Sequence, residues 1–389
     1  MKHSATKLVW SFALCLLAIG TTATDAAAEI GVDDTTIKIG MFGPLTGPTS
    51  MWGYPINNGA IALYDAINDA GGINGRKIEI IHEDDACDPV KAVAAVKKLI
   101  HRDKVFMIHG GTCSGATFAA KDEIVANKIP FVVMTATLDK IAVPANPYIF
   151  TTSLPGTADG ELMAQFTIKQ NAKRVVVVKH ADEWADTKAT GFIQSAQGKF
   201  EIVATEQLDK KISDATAPVL KVQQANADMI AIFAYPAEMA VFLRDAYKFG
   251  LKGPFVTTTS GMDLPDLAAR AGSAEAIANL NSISFLRYPA GSPQIKRYED
   301  IYRKYFPSDR IQSVTFFGMS GSELIIDALK RSGRDLTRES FLKALEETKN
   351  LPGDPAACQI TFTPESHQGC KTGAIWHFVN GKIETTSLD

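Results

Sequence analysis

Along almost the whole chain, apolar runs too short to be helices alternate with longer runs that carry apolar residues at helical spacing. The alternation first reads strand Ile37–Phe42, helix Pro55–Asp69, strand Ile78–Ile81, helix Pro89–His101, strand Val105–Ile108, helix Ser114–Asn127 and strand Phe131–Met134. After residues 148–152 it restarts as helix Gly160–Gln170, strand Val175–Val178, helix Thr187–Gln197, strand Ile202–Gln207, helix Pro218–Ala225, strand Met229–Phe233, helix Glu238–Phe249 and strand Phe255–Thr258. A helix between two strands returns the chain in the same direction, so this order selects parallel sheets covered by helices. Two such passages of similar size predict an α/β chain of two Rossmann-like lobes. Three more helical runs, near Ser292–Tyr305, Ser313–Arg331 and Thr337–Thr348, precede a tail whose pieces around Ile360, Trp376 and Ile383 read as short strands.

The punctuation between elements is chemically specific. Gly71-Gly72 stops the first helix, and Asp88 followed by Pro89 supplies an N-cap and a first helical residue for the second. The turn His109-Gly110-Gly111-Thr112-Cys113-Ser114-Gly115-Ala116-Thr117 passes from a strand into a helix on small residues. Such a turn lets backbone N–H groups at a helix N-terminus face an anion.

With 389 residues, 46% hydrophobic, the chain has enough apolar material for two cores, and a net charge of −3 leaves no basic footprint for nucleic acid or anionic membrane. Residues 1–28 have the layout of a secretory signal peptide: Lys2 and Lys7, an apolar run Leu8–Ile19, then small residues ending Ala26-Ala27-Ala28 before Glu29. The run is shorter than a bilayer span requires. Leu14 before Cys15 and the apolar run beyond it argue against lipid attachment there. The expected destination is the periplasm. Removing the leader leaves Cys87, Cys113, Cys358 and Cys370, an even set suited to an oxidising compartment. Of the three pairings, nearness in sequence favours Cys87–Cys113 and Cys358–Cys370. No Cys-x-x-Cys spacing points to zinc.

No catalytic residue is expected. The chain has no Gly-x-Ser-x-Gly elbow, no phosphate loop, no Gly-x-Gly-x-x-Gly after a strand and no His-Glu-x-x-His. Thr112-Cys113-Ser114-Gly115 imitates a nucleophile turn, but a bridged Cys113 has no thiolate. His82, His101, His109 and His180 sit at element ends and are read as structural rather than as metal ligands, and Glu83-Asp84-Asp85 as a solvated or helix-capping turn. No metal or cofactor is expected.

Four stretches carry a resemblance: Ile39-Gly40-Met41-Phe42-Gly43-Pro44-Leu45-Thr46-Gly47, Gly71-Gly72-Ile73-Asn74-Gly75-Arg76, Asp84-Asp85-Ala86-Cys87-Asp88-Pro89 and Tyr235-Pro236-Ala237-Glu238-Met239. Over nearly all of the chain after the leader, the sequence resembles the periplasmic substrate-binding proteins of branched-chain (hydrophobic) amino acid ABC transporters. That resemblance implies the type I periplasmic binding fold, hinged by three chain crossings: residues 29–151 with 283–355 form one lobe, and 152–282 with 356–389 the other. It implies a monomer that delivers a small ligand to a membrane permease. In the family a Ser and a Thr at helix-start turns hold the ligand carboxylate; the matching residues are Ser114 and Thr137, the latter in Thr135-Ala136-Thr137-Leu138. Ala136 belongs to the same ligand set, Trp52 matches an aromatic at the mouth, and Trp184 and Tyr235 match aromatics of the second lobe. The Cys87–Cys113 pairing also matches a family bridge.

The departure lies after strand Phe255–Thr258, where amino-acid binders carry an acid for the ligand ammonium and this chain has Thr259. An ammonium buried there without its partner costs several kcal/mol. The expected ligand is therefore a carboxylate without an amino group, and the aromatic set Trp52, Trp184 and Tyr235 leans toward a benzoate or cinnamate type. Binding of a hydrophobic amino acid, or a sensor role on the same fold, are the alternatives.

Overall fold

The computed structural model describes Met1 and residues 29–47, 49–258, 263–352 and 358–388. The leader from residue 2 to 28 and Thr259 lie outside the described residues. In chain order the first passage runs β1 (Thr36–Gly43), α1 (Ser50–Asp69), β2 (Lys77–Asp84), α2 (Pro89–Lys97), β3 (Met107–Gly110), α3 (Ser114–Ala126), β4 (Phe131–Val133) and β5 (Ile149–Thr151). The second runs α4 (Gly156–Lys169), β6 (Arg174–His180), α5 (Glu183–Ala196), β7 (Glu201–Leu208), α6 (Thr216–Gln224), β8 (Met229–Phe233), α7 (Pro236–Lys248), β9 (Phe255–Thr258), α8 (Leu264–Arg270) and β10 (Leu280–Ser284). There follow α9 (Lys296–Tyr305), α10 (Thr315–Ser332), α11 (Arg338–Glu346), β11 (Leu351–Pro352), β12 (Gln359–Ile360), β13 (Ala374–Val379) and β14 (Lys382–Ser387).

One sheet has the order β2-β1-β3-β4-β5, all parallel. A second has β7-β6-β8-β9-β10-β13-β14, parallel through β10 and closed by two antiparallel strands, and β11 and β12 form a small antiparallel pair. Each sheet thus starts with its first strand between the second and the third. The strand direction of growth reverses there, and the loops at the carboxyl ends splay apart into a crevice. Helices bury the strands on both faces: Val175, Val176, Val177 and Val178 have no exposed surface. Among the described residues no helix is long and apolar enough to cross a membrane.

The chain passes between the lobes after β5, after β10 and before β13. The middle passage returns α9, α10 and α11 to the first sheet, where α10 lies so close to α1 that a Cβ on Gly59 would stand 2.0 Å from the Thr315 carbonyl. A Cβ on Gly318 would likewise meet the Ile56 carbonyl at 2.0 Å. In the tail, His367 stacks on Phe150 with ring centroids 4.0 Å apart, and its carbonyl accepts from Thr151 N at 2.9 Å, which ties the tail to the end of β5. Both expected disulfides are present, with Cα separations of 5.5 Å for Cys87–Cys113 and 5.6 Å for Cys358–Cys370.

Several boundaries differ from the sequence reading. Helix α1 begins at Ser50 and holds Pro55 inside, because a proline that early in a helix forfeits only one backbone bond. Strand β3 starts two residues late, since Val105 N bonds Leu99 O instead of joining the sheet. Helix α5 starts at Glu183 on an Asp182 cap and α7 at Pro236, so Trp184 and Tyr235 both stand at helix entrances. Helix α8 is too short for its periodicity to be recognised in sequence.

Candidate functional site

The described residues among those expected to bind ligand stand at helix entrances and loops at the carboxyl ends of the two sheets. In the first lobe, the turn after β1 is held by Asp84, whose Oδ1 accepts from Leu45 N and Ala86 N at 2.8 and 2.9 Å. Trp52 follows on the first turn of α1. The loop after β3 turns on Gly111 at φ 79°, where a Cβ would press on Thr117 Cγ2 at 2.8 Å. Cys113 is the residue before α3, but its sulfur is bonded to Cys87 and makes no capping bond. Ser114 is thus not the N-cap of its helix; it is the first helical residue, and its Oγ accepts from Thr137 N at 3.2 Å. Ala136 N donates to Gly111 O at 3.0 Å, so Ser114, Ala136 and Thr137 form one small patch. Trp52 Nε1 and Thr137 Oγ1 are buried with no hydrogen-bond partner among the described residues. Buried donors and acceptors are rarely left so, and the first turn of a helix adds N–H groups that lack intrahelical acceptors. This patch is chemically equipped for a carboxylate.

In the second lobe, Trp184 and Tyr235 stack with centroids 4.5 Å apart at 18°. Tyr235 therefore covers one face of Trp184, and the two rings act as a single slab, not as two separate walls. The Tyr235 hydroxyl donates to Asp182 Oδ2 at 3.0 Å, and Asp182 Oδ1 caps α5 through Ala185 N at 3.0 Å. Burial pushes the Asp182 carboxyl up, but hydrogen bonds from His180, Ala185 N and Tyr235 outweigh it and hold the group below its usual range. The Tyr235 phenol is pushed upward by burial and by the neighbouring Asp182 and Glu238 charges, so it stays a neutral donor. Trp52 lies on the other lobe and joins no aromatic stack among the described residues.

Sequence reasoning missed one group here. Lys188, 1% exposed, is ion-paired with Asp159, and Thr258 at the end of β9 donates its hydroxyl to the same Asp159 Oδ2 at 3.0 Å. The Lys188 ammonium stands 5.1 Å from the Trp184 ring centroid. The spacing of Trp184 and Lys188, one helical turn, was the available signal.

The lobes touch across the crevice. Gly156 N donates to Thr137 O at 2.7 Å, Thr157 N to Asp139 Oδ1 at 3.2 Å, and Lys140 pairs with Glu183. Farther out, Arg310 pairs with Asp263 at 3.2 Å and Arg270 reaches Met51 Sδ at 3.6 Å. A surface groove of about 440 Å³ beside Tyr54, Tyr302 and Asp309 shares none of the expected ligand residues.

The acidic turn splits in role. Glu83 pairs with Lys98 and Asp84 organises its turn, but Asp85 is not solvated: it has no exposed surface, and burial with Asp84 and Asp88 nearby pushes its carboxyl up to about 6. The histidines named from the sequence are engaged with neighbours in the fold. His109 meets the Tyr64 hydroxyl at 2.9 Å and burial lowers it to about 3; burial lowers His82 to about 4; His101 pairs with Glu123.

A family model described as periplasmic binding protein matches residues 36–382. The leucine-, isoleucine-, valine-, threonine- and alanine-binding protein of Pseudomonas aeruginosa is 29% identical over 276 residues, 70% of this chain and 72% of that protein. The isoleucine complex of the branched-chain amino acid transporter substrate binding protein LivJ from Streptococcus pneumoniae superposes with a TM-score of 0.80 at 26% identity, covering 91% of this chain and 99% of that one. A solute binding protein of an ABC transporter from R. palustris, in complex with benzoate, shares the fold with a TM-score of 0.77 at 20% identity, covering 90% and 96%. With two parallel-dominated sheets flanked by helices and this match along its length, the chain belongs to the periplasmic binding proteins, as a substrate-binding protein of the branched-chain amino acid ABC transporter class and not an enzyme.

Proposed function

We propose that this protein captures a small carboxylic acid without an amino group, an aromatic acid of the benzoate or cinnamate type, and presents it to an ABC permease from the periplasm after removal of residues 1–28. Ser114, Thr137 and the first turn of α3 bind the carboxylate, with Ala136 lining the patch, and Trp52 with the Trp184–Tyr235 slab encloses the ring. Thr259, which follows β9 in the sequence, brings no charge where amino-acid binders carry an acid. The lobes, 29–151 with 283–355 and 152–282 with 356–389, close over the ligand and exclude water, which strengthens each buried hydrogen bond.

The observation that carries the amine-free reading is the engagement of the acids at the second switch point. Asp159 is held by Lys188 and Thr258, Asp182 by Tyr235 and Ala185, and Glu238 Oε1 accepts from Lys211 N at 3.1 Å. A ligand ammonium would have to share an acid that already has donors of the protein's own. The benzoate complex from R. palustris supports the choice only in that the same fold accommodates such an acid.

A second reading, hydrophobic amino acid binding, is favoured by the name of the relative from Pseudomonas aeruginosa. A thermal-shift screen separates them, since a ligand bound to the folded state raises the melting temperature by mass action. Stabilisation by benzoate or cinnamate and none by leucine or valine is expected; the reverse pattern overturns the proposal.

A further inference from the structure

We infer that Lys188 is the specificity residue that excludes amino acids from the cleft, by occupying Asp159 with an ammonium of the protein's own. The inference rests on the proposed amine-free ligand and names the residue responsible for it.

The pair is built into the second lobe. Lys188 and Asp159 are 1% and 6% exposed and belong to α5 and α4. Those helices meet backbone to backbone: a Cβ on Gly160 would stand 2.0 Å from the Lys188 carbonyl, and one on Gly191 2.3 Å from the Thr157 carbonyl. The packing of the two helices thus brings the two charges together. A buried ion pair is weak evidence for stability, because apolar residues of similar volume commonly serve as well or better. Its placement offers a better reason for its presence. The pair lies against the Trp184 ring on one side and Thr258 on the other, at the end of the strand that leads to Thr259.

An ammonium brought to this end of β9 finds the Asp159 carboxylate already neutralised by Lys188. Burying an ammonium there with no free carboxylate to receive it disfavours such a ligand by roughly a hundredfold. A ligand with hydrogen in place of that ammonium loses nothing. Lys188 acts here through charge and through Asp159, as a positioning residue, without needing to touch the ligand.

Two matched pairs of ligands isolate the ammonium: phenylalanine with 3-phenylpropionate, and leucine with 4-methylpentanoate. Their affinities are measured by calorimetry on the whole mature protein, on Lys188→Met, on Asp159→Asn and on the double variant. The wild type is expected to prefer the deaminated member of each pair. In Lys188→Met, Asp159 is released to accept an ammonium, and the preference narrows by at least about tenfold, mainly through a gain in amino acid affinity. Asp159→Asn keeps the exclusion, since the lysine remains.

The double variant carries neither charge and guards against a single variant that does not fold. Its preference is expected to fall between those of the wild type and Lys188→Met. A folded Lys188→Met, or in its place a folded double variant, with the wild-type preference unchanged overturns the role of Lys188 and leaves the proposed ligand class standing. A wild type that prefers phenylalanine and leucine overturns both.

Discussion

Asp85 has no exposed surface, yet its side chain receives one hydrogen bond, from Cys87 N to Oδ1 at 2.8 Å, while Oδ2 has no partner among the described residues. Burial chiefly, with the Asp84 and Asp88 charges, raises its carboxyl from 3.8 to about 6. A raised acid binds its proton more tightly folded than unfolded. Stability from this group is therefore full below about pH 4, falls as pH rises through the window from 4 to 6, and is absent above it. A shift of roughly two units corresponds to about 3 kcal/mol. Asp85→Asn keeps the acceptor for Cys87 N and removes the charge, so at pH 7 it should be more stable than the wild type by up to about 2 to 3 kcal/mol. Below pH 4 the advantage should vanish. Urea unfolding between pH 3.5 and 7.5 measures it, read as the difference between variant and wild type. His82 and His109, lowered to about 4 and about 3, lose stability in the opposite direction as pH falls, but they do so in both proteins and cancel in the difference. A difference that stays flat from pH 4 to 6 would refute the reasoning.

Three further outcomes are expected. Ser114→Ala and Thr137→Ala should each weaken binding of the stabilising acid by about tenfold to a hundredfold, as loss of a hydrogen bond to a charged group does, with little change in the unliganded melting temperature; calorimetry checks both. Gly59→Ala should destabilise by about 3 kcal/mol or more, because its Cβ would stand 2.0 Å from the Thr315 carbonyl and neither helix backbone yields easily; a wild-type urea midpoint would contradict the α1–α10 packing. Serine in place of both Cys358 and Cys370 opens a loop with a sequence separation of 12 and should cost about 3 kcal/mol in the chain-entropy account, seen as a lower urea midpoint that reductant shifts further only through the remaining Cys87–Cys113 bridge.

The elements were legible because their signals are local. Val175–Val178 announces a buried strand by composition, Asp88-Pro89 a helix start by capping chemistry, and Gly71-Gly72 a helix end by backbone freedom. Where a signal was ambiguous the reading slipped: Pro55 suggested a start that lies at Ser50, and Val105 counted toward a strand although its N–H bonds Leu99. The candidate site was legible in parts. Ser114 and Thr137 were named separately, and so were Trp184 and Tyr235. That Ser114 hydrogen-bonds Thr137 instead of capping its own helix, and that the two aromatics form one slab, depended on loops from different strands.

By itself the sequence determined the α/β alternation, its division into two passages and the helix entrances at which the candidate residues stand, because periodicity, caps and turns act within a few residues. Tertiary structure alone decided which entrances face each other. Ser114 and Thr137 are 23 residues apart, Tyr235 and Asp182 are 53 apart, and Lys188 and Asp159 are 29 apart. Such pairs meet only when strand order reverses at the two switch points and α4 packs on α5. No local pattern records that choice, since it minimises the exposure of whole sheets and helices, and buried charge then finds its partner wherever the packing brings one within reach.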